Sequence, residues 1–247
     1  MPGTTPSFVI LEHVDSTNNY AMAKVHAGMA KHGDAWFSGH QMQGKGQRGK
    51  VWLTGDGDNI ALSVVLTPKQ CSILQPFQLS VAIALALFDL FNNYAGEGTT
   101  IKWPNDIYWR DRKAAGILIE NKYTGKEWKW AVVGTGININ QTNFDGSLAN
   151  PVSLLQVTGK SFNCVDLAKE LHELIMKRTS GLLTKPFEML LAEYNRNLYK
   201  NGEVVRLKKN NMVFDTTVEG VSAQGQLLTA DTLKRHFDFG EVEWVIP

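Results

Sequence analysis

Apolar residues along the chain switch between two periods. Residues 8–14 (FVILEHV), 34–41 (DAWFSGHQ) and 60–66 (IALSVVL) are short runs rich in β-branched and aromatic residues, and they read as strands. Asp15 and Ser16 offer an N-cap for a helix of modest amphipathicity over STNNYAMAKVHAGMA. Pro76 suits a first helical turn, and Leu79, Ala82, Ile83, Ala86, Leu87, Leu90 and Phe91 follow at helical spacing. Residues 101–109 (IKWPNDIYW), 115–120 (AGILIE) and 128–139 (WKWAVVGTGINI) read as three further strands. A second long helix is expected over 165–183, with Leu167, Leu171, Leu174 and Ile175 on one face. Pro186 interrupts it, and a helix resumes over 187–198. Near residue 200 the texture changes to the short β-rich runs EVVRLKK, MVFDTTVEGV, QLLTAD, LKRHFDF and EVEWVI. The pattern predicts an α+β domain over 1–198 followed by a small all-β barrel or sandwich over 199–247.

Composition narrows the class. The chain has 247 residues, of which 43% are hydrophobic and 20% charged, which excludes disordered and fibrous classes. Its 25 Lys+Arg against 24 Asp+Glu leave a net charge of +1, without the basic excess of a duplex-binding domain, so nucleic acid is not an expected partner. Cys71 and Cys164 form no C-x-x-C pair and read as buried thiols of a reducing cytoplasm. MPGTTPSF has no signal-peptide pattern, and the apolar stretch Phe77 to Phe91 is too short and too polar to cross a membrane. A cytoplasmic protein without membrane contact is expected.

Four segments carry candidate chemistry. Residues 43–59 are glycine-dense, which breaks both helix and strand patterns and leaves a long loop. Lys45, Arg48 and Lys50 stand in it with no acid between His40 and Leu53. Glycine-rich turns expose neighbouring N–H groups that bind anions, although a solvated surface loop has the same composition. Neither a phosphate-loop nor a dinucleotide fingerprint is present. Lys102-Trp103-Pro104-Asn105-Asp106 interrupts a strand pattern with proline and presents a cation, an amide and a carboxylate. Lys102 there suits a phosphate and Asp106 suits Mg²⁺; a bulge with a Lys102–Asp106 pair is the structural alternative. Lys113 opens an apolar strand, where lysine is uncommon unless it pairs or functions. Gly134 and Gly136 lie inside a strand, which marks close approach by a ligand or another backbone, and Asn138 adds an amide. The six histidines show no metal-ligand spacing, and Trp52 in the glycine loop is placed to stack on a base.

Together these segments resemble the biotin protein ligases, which attach biotin to carrier domains of carboxylases. Ser16-Thr17-Asn18 is similar to the family's S-T-N segment, and Gln41 with Gly44-Lys45-Gly46-Gln47-Arg48-Gly49 to its Q-x-x-G-R-G-R-R-G loop. Lys102 to Asp106 matches K-W-P-N-D, Lys113 with Gly116-Ile117-Leu118 and Glu120 matches K-x-x-G-I-L-x-E, and Gly134, Gly136, Ile137 and Asn138 match G-x-G-I-N. The resemblance implies a class II synthetase-like mixed sheet with flanking helices and a small SH3-like C-terminal domain. It implies biotin and ATP as substrates, Mg²⁺ as cofactor, and a biotin carboxyl carrier protein or domain as acceptor.

It also implies residue roles. Ser16, Thr17 and Gln41 would hold the ureido ring of biotin and its flank, with Asn18 a further binding residue. Gly46 and Arg48 would sit on the biotin and phosphate side of the loop, with Gly44, Lys45 and Gln47 among its binding residues. Lys113 would hold the biotin carboxylate and α-phosphate, while Lys102 and Asp106 would serve ATP phosphates and Mg²⁺, with Asp106 the metal ligand and Asn105 a further binding residue. Trp52 and Asn138 would contact adenine, and Gly116, Ile117, Leu118 and Gly136 would border the biotin strand. Lys113, Arg48, Lys102 and Asp106 are the expected catalytic set. Lys45 and Gln47 replace arginines of the family loop, so a looser grip on the acyl-adenylate is expected. The residues ahead of Ser16 leave no room for a helix-turn-helix domain, so operator binding is not expected. A lipoate or octanoate ligase or transferase of the same fold and a non-catalytic biotin or nucleotide sensor are the alternatives. A homodimer stays open.

Overall fold

The computed structural model describes residues 6–52, 57–146, 148 and 150–245. Residues 53–56 of the expected loop therefore lie outside the described residues. The chain builds β1 (Phe8–Leu11), α1 (Thr17–His26), β2 (Ala35–Ser38), β3 (Asn59–Leu66), α2 (Pro76–Ala95), β4 (Thr99–Lys102) and β5 (Asp106–Trp109). It continues with β6 (Arg112–Thr124), β7 (Glu127–Asn138), α3 (Leu154–Thr158), α4 (Cys164–Gly181) and α5 (Phe187–Arg196). Five short strands follow: β8 (Val204–Lys209), β9 (Met212–Val221), β10 (Leu227–Ala230), β11 (Lys234–Phe237) and β12 (Glu243–Trp244).

The first seven strands form one mixed sheet in the order β1-β2-β3-β7-β6-β5-β4, with β1 parallel to β2 and every other pair antiparallel. The last five form an antiparallel sheet, β11-β10-β9-β8-β12. The expected mixed-sheet architecture with a second, all-β unit is what the chain adopts.

Alternation along the strands assigns the two faces of the large sheet. Ile60, Leu62, Val64 and Leu66 point one way, into a core shared with Leu79, Ile83 and Leu87 of α2 and Leu171 and Ile175 of α4. Each such side chain, fully buried, contributes roughly 1.5–3 kcal/mol. The reading of Phe77 to Phe91 as too short and too polar to cross a membrane is corrected: α2 runs over Pro76–Ala95 and is long and apolar enough by length and composition alone, yet it is the central core helix, with Leu79 and Val81 to Leu87 fully buried. Arg178 of α4 grips both oxygens of Asp89 on α2 at 2.6 Å and both oxygens of Glu193 on α5, which ties the three helices together. On the opposite face α1 covers only one end, packing Ala21 and Val25 against Trp36, Val65 and Val132. The rest of that face is left for the site.

Two further expectations are corrected. The strand read over 101–109 is two strands: Lys102 opposes Asp106, and Trp103-Pro104-Asn105 forms the turn between β4 and β5. Proline cannot continue a ladder, so the chain reverses there instead of bulging. The first strand stops at Leu11, after which Val14 makes only an isolated bridge to Gln41. Ser16 is the N-cap of α1, one of the two residues expected there, although its side chain makes no capping hydrogen bond.

The two sheets share a core. The Trp103 indole N–H donates to the Gly225 carbonyl at 2.9 Å, and Val205, Leu207, Val218, Val221 and Leu227 belong to the same buried cluster as β3 and α2.

Candidate active site

Strand register places small residues side by side. Ser38 opposes Ala61, Ala61 opposes Gly136, Gly136 opposes Gly116, and Gly116 opposes Asp106. Directly opposed residues share a face, so three adjacent strands carry nothing larger than a methyl group there. The result is a trough across the sheet. The Trp52 indole lies in it: a Cβ on Gly136 would overlap the ring, and one on Gly116 would sit 3.3 Å from Cζ3. The loop reaches this position through the Trp52 N–H, which donates to the Gly44 carbonyl at 2.8 Å. A side chain at Gly44 would overlap the backbone carbonyl of Trp52, so the loop turn needs glycine. The Trp52 Nε1 donor is buried without a partner.

A β-bulge delivers the first cation. Ile107 opposes Ala115 but Tyr108 opposes Lys113, which leaves Ala114 as the extra residue of β6. The extra residue turns Lys113 onto the face of Gly116, three positions away. Its Nζ lies 2.8 Å from Asp106 Oδ1 and 5.9 Å from the centre of the Trp52 ring.

Lys102 is buried beside them. Its ammonium sits 5.1 Å from the ring centre of Tyr108 and 5.1 Å from that of Trp244. Burial pulls its pKa down to about 8, Asp106 pushes it back up, and Lys113 and Lys50 add to the lowering.

The other end of the trough is lined by hydroxyls and amides, with the Glu120 carboxylate behind them. The Thr17 N–H and hydroxyl donate to Gln41 Oε1 at 2.9 and 3.1 Å. Ser63 Oγ lies 2.8 Å from Thr17 Oγ1 and donates to Asn18 Oδ1 at 2.6 Å. Asn18 Nδ2 in turn donates to Glu120 Oε2 at 2.8 Å. A side chain on Gly134 would overlap the Asn18 amide, which explains that glycine. Hydroxyls and amides at one end, cations at the other and an apolar floor between them suit an elongated ligand with a polar head and an acidic tail.

A family model, the biotin/lipoate A/B protein ligase family, matches residues 10–138, the span that holds this trough. The chain belongs to the biotin/lipoate A/B protein ligase family. It is 30% identical to the biotin–[acetyl-CoA-carboxylase] ligase of Paracoccus denitrificans, over 89% of this chain and 92% of that one. It is 35% identical to the bifunctional ligase/repressor BirA of Escherichia coli, over 58% of this chain and 44% of the relative, so that match spans under half the length of that protein. In fold it is similar to the biotin protein ligase of Aquifex aeolicus in complex with biotin and ATP, with a TM-score of 0.81, 23% identity and coverage of 98% and 99% of the two chains.

Within this ligase-family site the expected residues divide. Thr17, Asn18, Gln41, Trp52, Asp106, Lys113, Gly116 and Gly136 meet around the trough, and Leu118, opposite Gly134, faces the same side. Ser16 is buried at the start of α1. Asn105 Nδ2 donates to the Ile117 carbonyl at 2.9 Å, and Gln47 Nε2 approaches the same oxygen at 3.4 Å. Both amides thus brace the edge of β6. Lys45 reaches Glu120 at 3.8 Å, and the Gly46 N–H donates to the Lys50 carbonyl. Arg48 and Asn138 make other contacts in this structure. Arg48 turns to the second sheet, 5.5 Å from the Phe239 ring and against Gly240. The Asn138 amide faces the chain's own Val152 and Lys113 carbonyls, at 3.2 and 3.4 Å.

The structural alternative for this segment, a Lys102–Asp106 pair, is not what forms: the carboxylate pairs with Lys113. Ser63, Tyr108 and Trp244 were not foreseen. Ser63 alone left a signal, a hydroxyl inside the apolar run IALSVVL.

Among the described residues no group of three or more His, Cys, Asp or Glu could hold a metal ion. Asp106 is a single carboxylate already engaged by Lys113. This donor set fits Mg²⁺ carried in on phosphates, with one carboxylate completing the shell, and not a protein-only cage.

Proposed function

We propose that the chain is an ATP-dependent biotin–protein ligase. It forms biotinyl-5′-AMP and then transfers biotin to a lysine of a biotin carboxyl carrier protein or domain. The observation that carries this reading is the Lys113–Asp106 pair at the end of a glycine-floored trough whose other end is lined by Thr17, Asn18 and Gln41. The names of the relatives favour biotin over lipoate.

A carboxylate is a poor acyl donor, so it is first joined to AMP. The biotin carboxylate attacks the α-phosphorus of ATP, the bond to the β-phosphate oxygen breaks, and pyrophosphate leaves. Two anions must approach, and Lys113 and Lys102 offset that repulsion by position and charge. Mg²⁺, when bound, would neutralise phosphate charge, with Asp106 as its protein ligand. For Arg48 to reach the same phosphates, the loop must release Phe239 and Gly240. In the second step a lysine amine attacks the acyl carbon, and AMP leaves with the bonding pair. Trp52, lying on the glycine floor of the trough, would help keep water from the anhydride in between.

Incubating the chain with biotin, ATP, Mg²⁺ and a biotin carboxyl carrier domain tests the full reaction. The expected result is one biotinyl mass increment on the acceptor lysine, absent without ATP. Biotin bound without any increment would favour a sensor.

A further inference from the structure

Lys102 ends β4 where the two sheets meet. Tyr108 of the first sheet and Trp244 of the second hold its ammonium between their faces, each ring centre 5.1 Å away. Tyr199 backs both rings, at 5.3 Å from Tyr108 and 5.6 Å from Trp244, and its hydroxyl donates to Asp111 at 2.6 Å. Trp244 opposes Leu207 in the pairing of β12 with β8, and the next residue's N–H donates to the Arg206 carbonyl at 2.9 Å, so the second sheet sets the ring's place. The Trp244 Nε1 donor is buried without a partner, so packing and the neighbouring ammonium locate the ring, with no hydrogen bond of its own.

A buried ammonium needs compensation. Asp106, the carboxylate opposite it, is engaged by Lys113 at 2.8 Å. Aromatic faces supply the compensation through their quadrupoles without neutralising the charge. A lysine held in this way is positioned and still free to meet an incoming anion, whereas a carboxylate partner would compete with that anion.

We propose that Trp244 is a positioning residue for the nucleotide: together with Tyr108 it holds the Lys102 ammonium at the end of the trough for the phosphates of ATP. The second sheet thereby takes part in nucleotide binding. The inference rests on the reading of Lys102 as a phosphate ligand.

The test compares Trp244→Leu, which removes the aromatic face, with Trp244→Phe, which keeps it. ATP and biotin binding are measured separately by calorimetry, alongside the KM for each in pyrophosphate exchange. Trp244→Leu is expected to weaken ATP roughly tenfold and biotin less than about twofold, with Trp244→Phe recovering most of the loss. Unchanged ATP binding in Trp244→Leu overturns the proposal, as does an equal loss for ATP and biotin or an equal loss in both variants. If Trp244→Leu fails to fold, Tyr108→Leu is judged by the same ATP-selective loss. A parent chain that binds ATP but shows no exchange defeats the ligase reading while the binding comparison still decides the cradle. A parent chain that does not bind ATP defeats both.

Discussion

Lys113 and Asp106 form a 2.8 Å ion pair across a β-bulge, and neither would face the other in an unbulged ladder. The bulge at Ala114 therefore selects which lysine of the site meets the carboxylate. Lys113→Ala should cost on the order of 3 kcal/mol of transition-state stabilisation, about 100-fold in the adenylation rate, by analogy with the loss of one oxyanion donor. Single-turnover measurement of adenylate formation checks this. Near-normal rates in Lys113→Ala would remove Lys113 from the reaction.

The glycine floor makes a graded expectation. A methyl on Gly136 overlaps the Trp52 indole, whereas one on Gly116 meets it at 3.3 Å. Gly136→Ala should lift the ring or strain the loop, at about 1–3 kcal/mol, the usual range for overpacking. Gly116→Ala should cost clearly less. Thermal unfolding and biotin affinity of the two variants give the order; a reversed order would mean that Trp52 does not lie on Gly136.

Polar contacts at the other end should differ sharply in worth. Ser63 is fully buried and donates to Asn18 Oδ1, so Ser63→Ala should lose about 1–3 kcal/mol by leaving that buried oxygen without its donor. Lys45 lies 3.8 Å from Glu120 and is well exposed, so Lys45→Ala should change stability by less than about 0.5 kcal/mol. Denaturant titration of both variants measures the contrast.

Lys102 gives a pH dependence of known sign. Its folded pKa is about 8, chiefly through burial, against an ordinary 10.5. Between these values the unfolded chain binds more protons than the folded one, so this group's contribution to stability rises with pH across that window. Across the same window the charge that phosphate needs is lost. ATP affinity of the free enzyme should therefore fall as pH rises through about 8, while Lys102→Arg should flatten that fall. Calorimetric ATP binding at a series of pH values is the check. An affinity flat from neutrality to well above that value would mean that Lys102 does not meet the nucleotide.

Much of this arrangement is legible in the sequence because its causes are local. The β-branched runs, the Pro76 helix start and the apolar spacing of α2 and α4 depend on neighbours a few residues away. The glycines at 116, 134 and 136 signal close approach, and each meets the side chain of Trp52 or Asn18. What stays hidden is long-range or register-dependent. The hairpin at Trp103-Pro104-Asn105 and the bulge at Ala114 depend on strand pairing, and they decide that Lys113, not Lys102, meets Asp106. The five-residue α3 is too short to show a helical period. Arg48 against Phe239 and Lys102 against Trp244 join residues far apart in the chain, and no spacing rule reaches them.

Biotin-dependent exchange of labelled pyrophosphate into ATP, by the purified chain with Mg²⁺ and no acceptor, separates adenylation from binding alone. Exchange with biotin and none with lipoate is the expected result. Exchange with lipoate but not biotin would contradict the assigned substrate, and no exchange with either acid would contradict the adenylation chemistry itself.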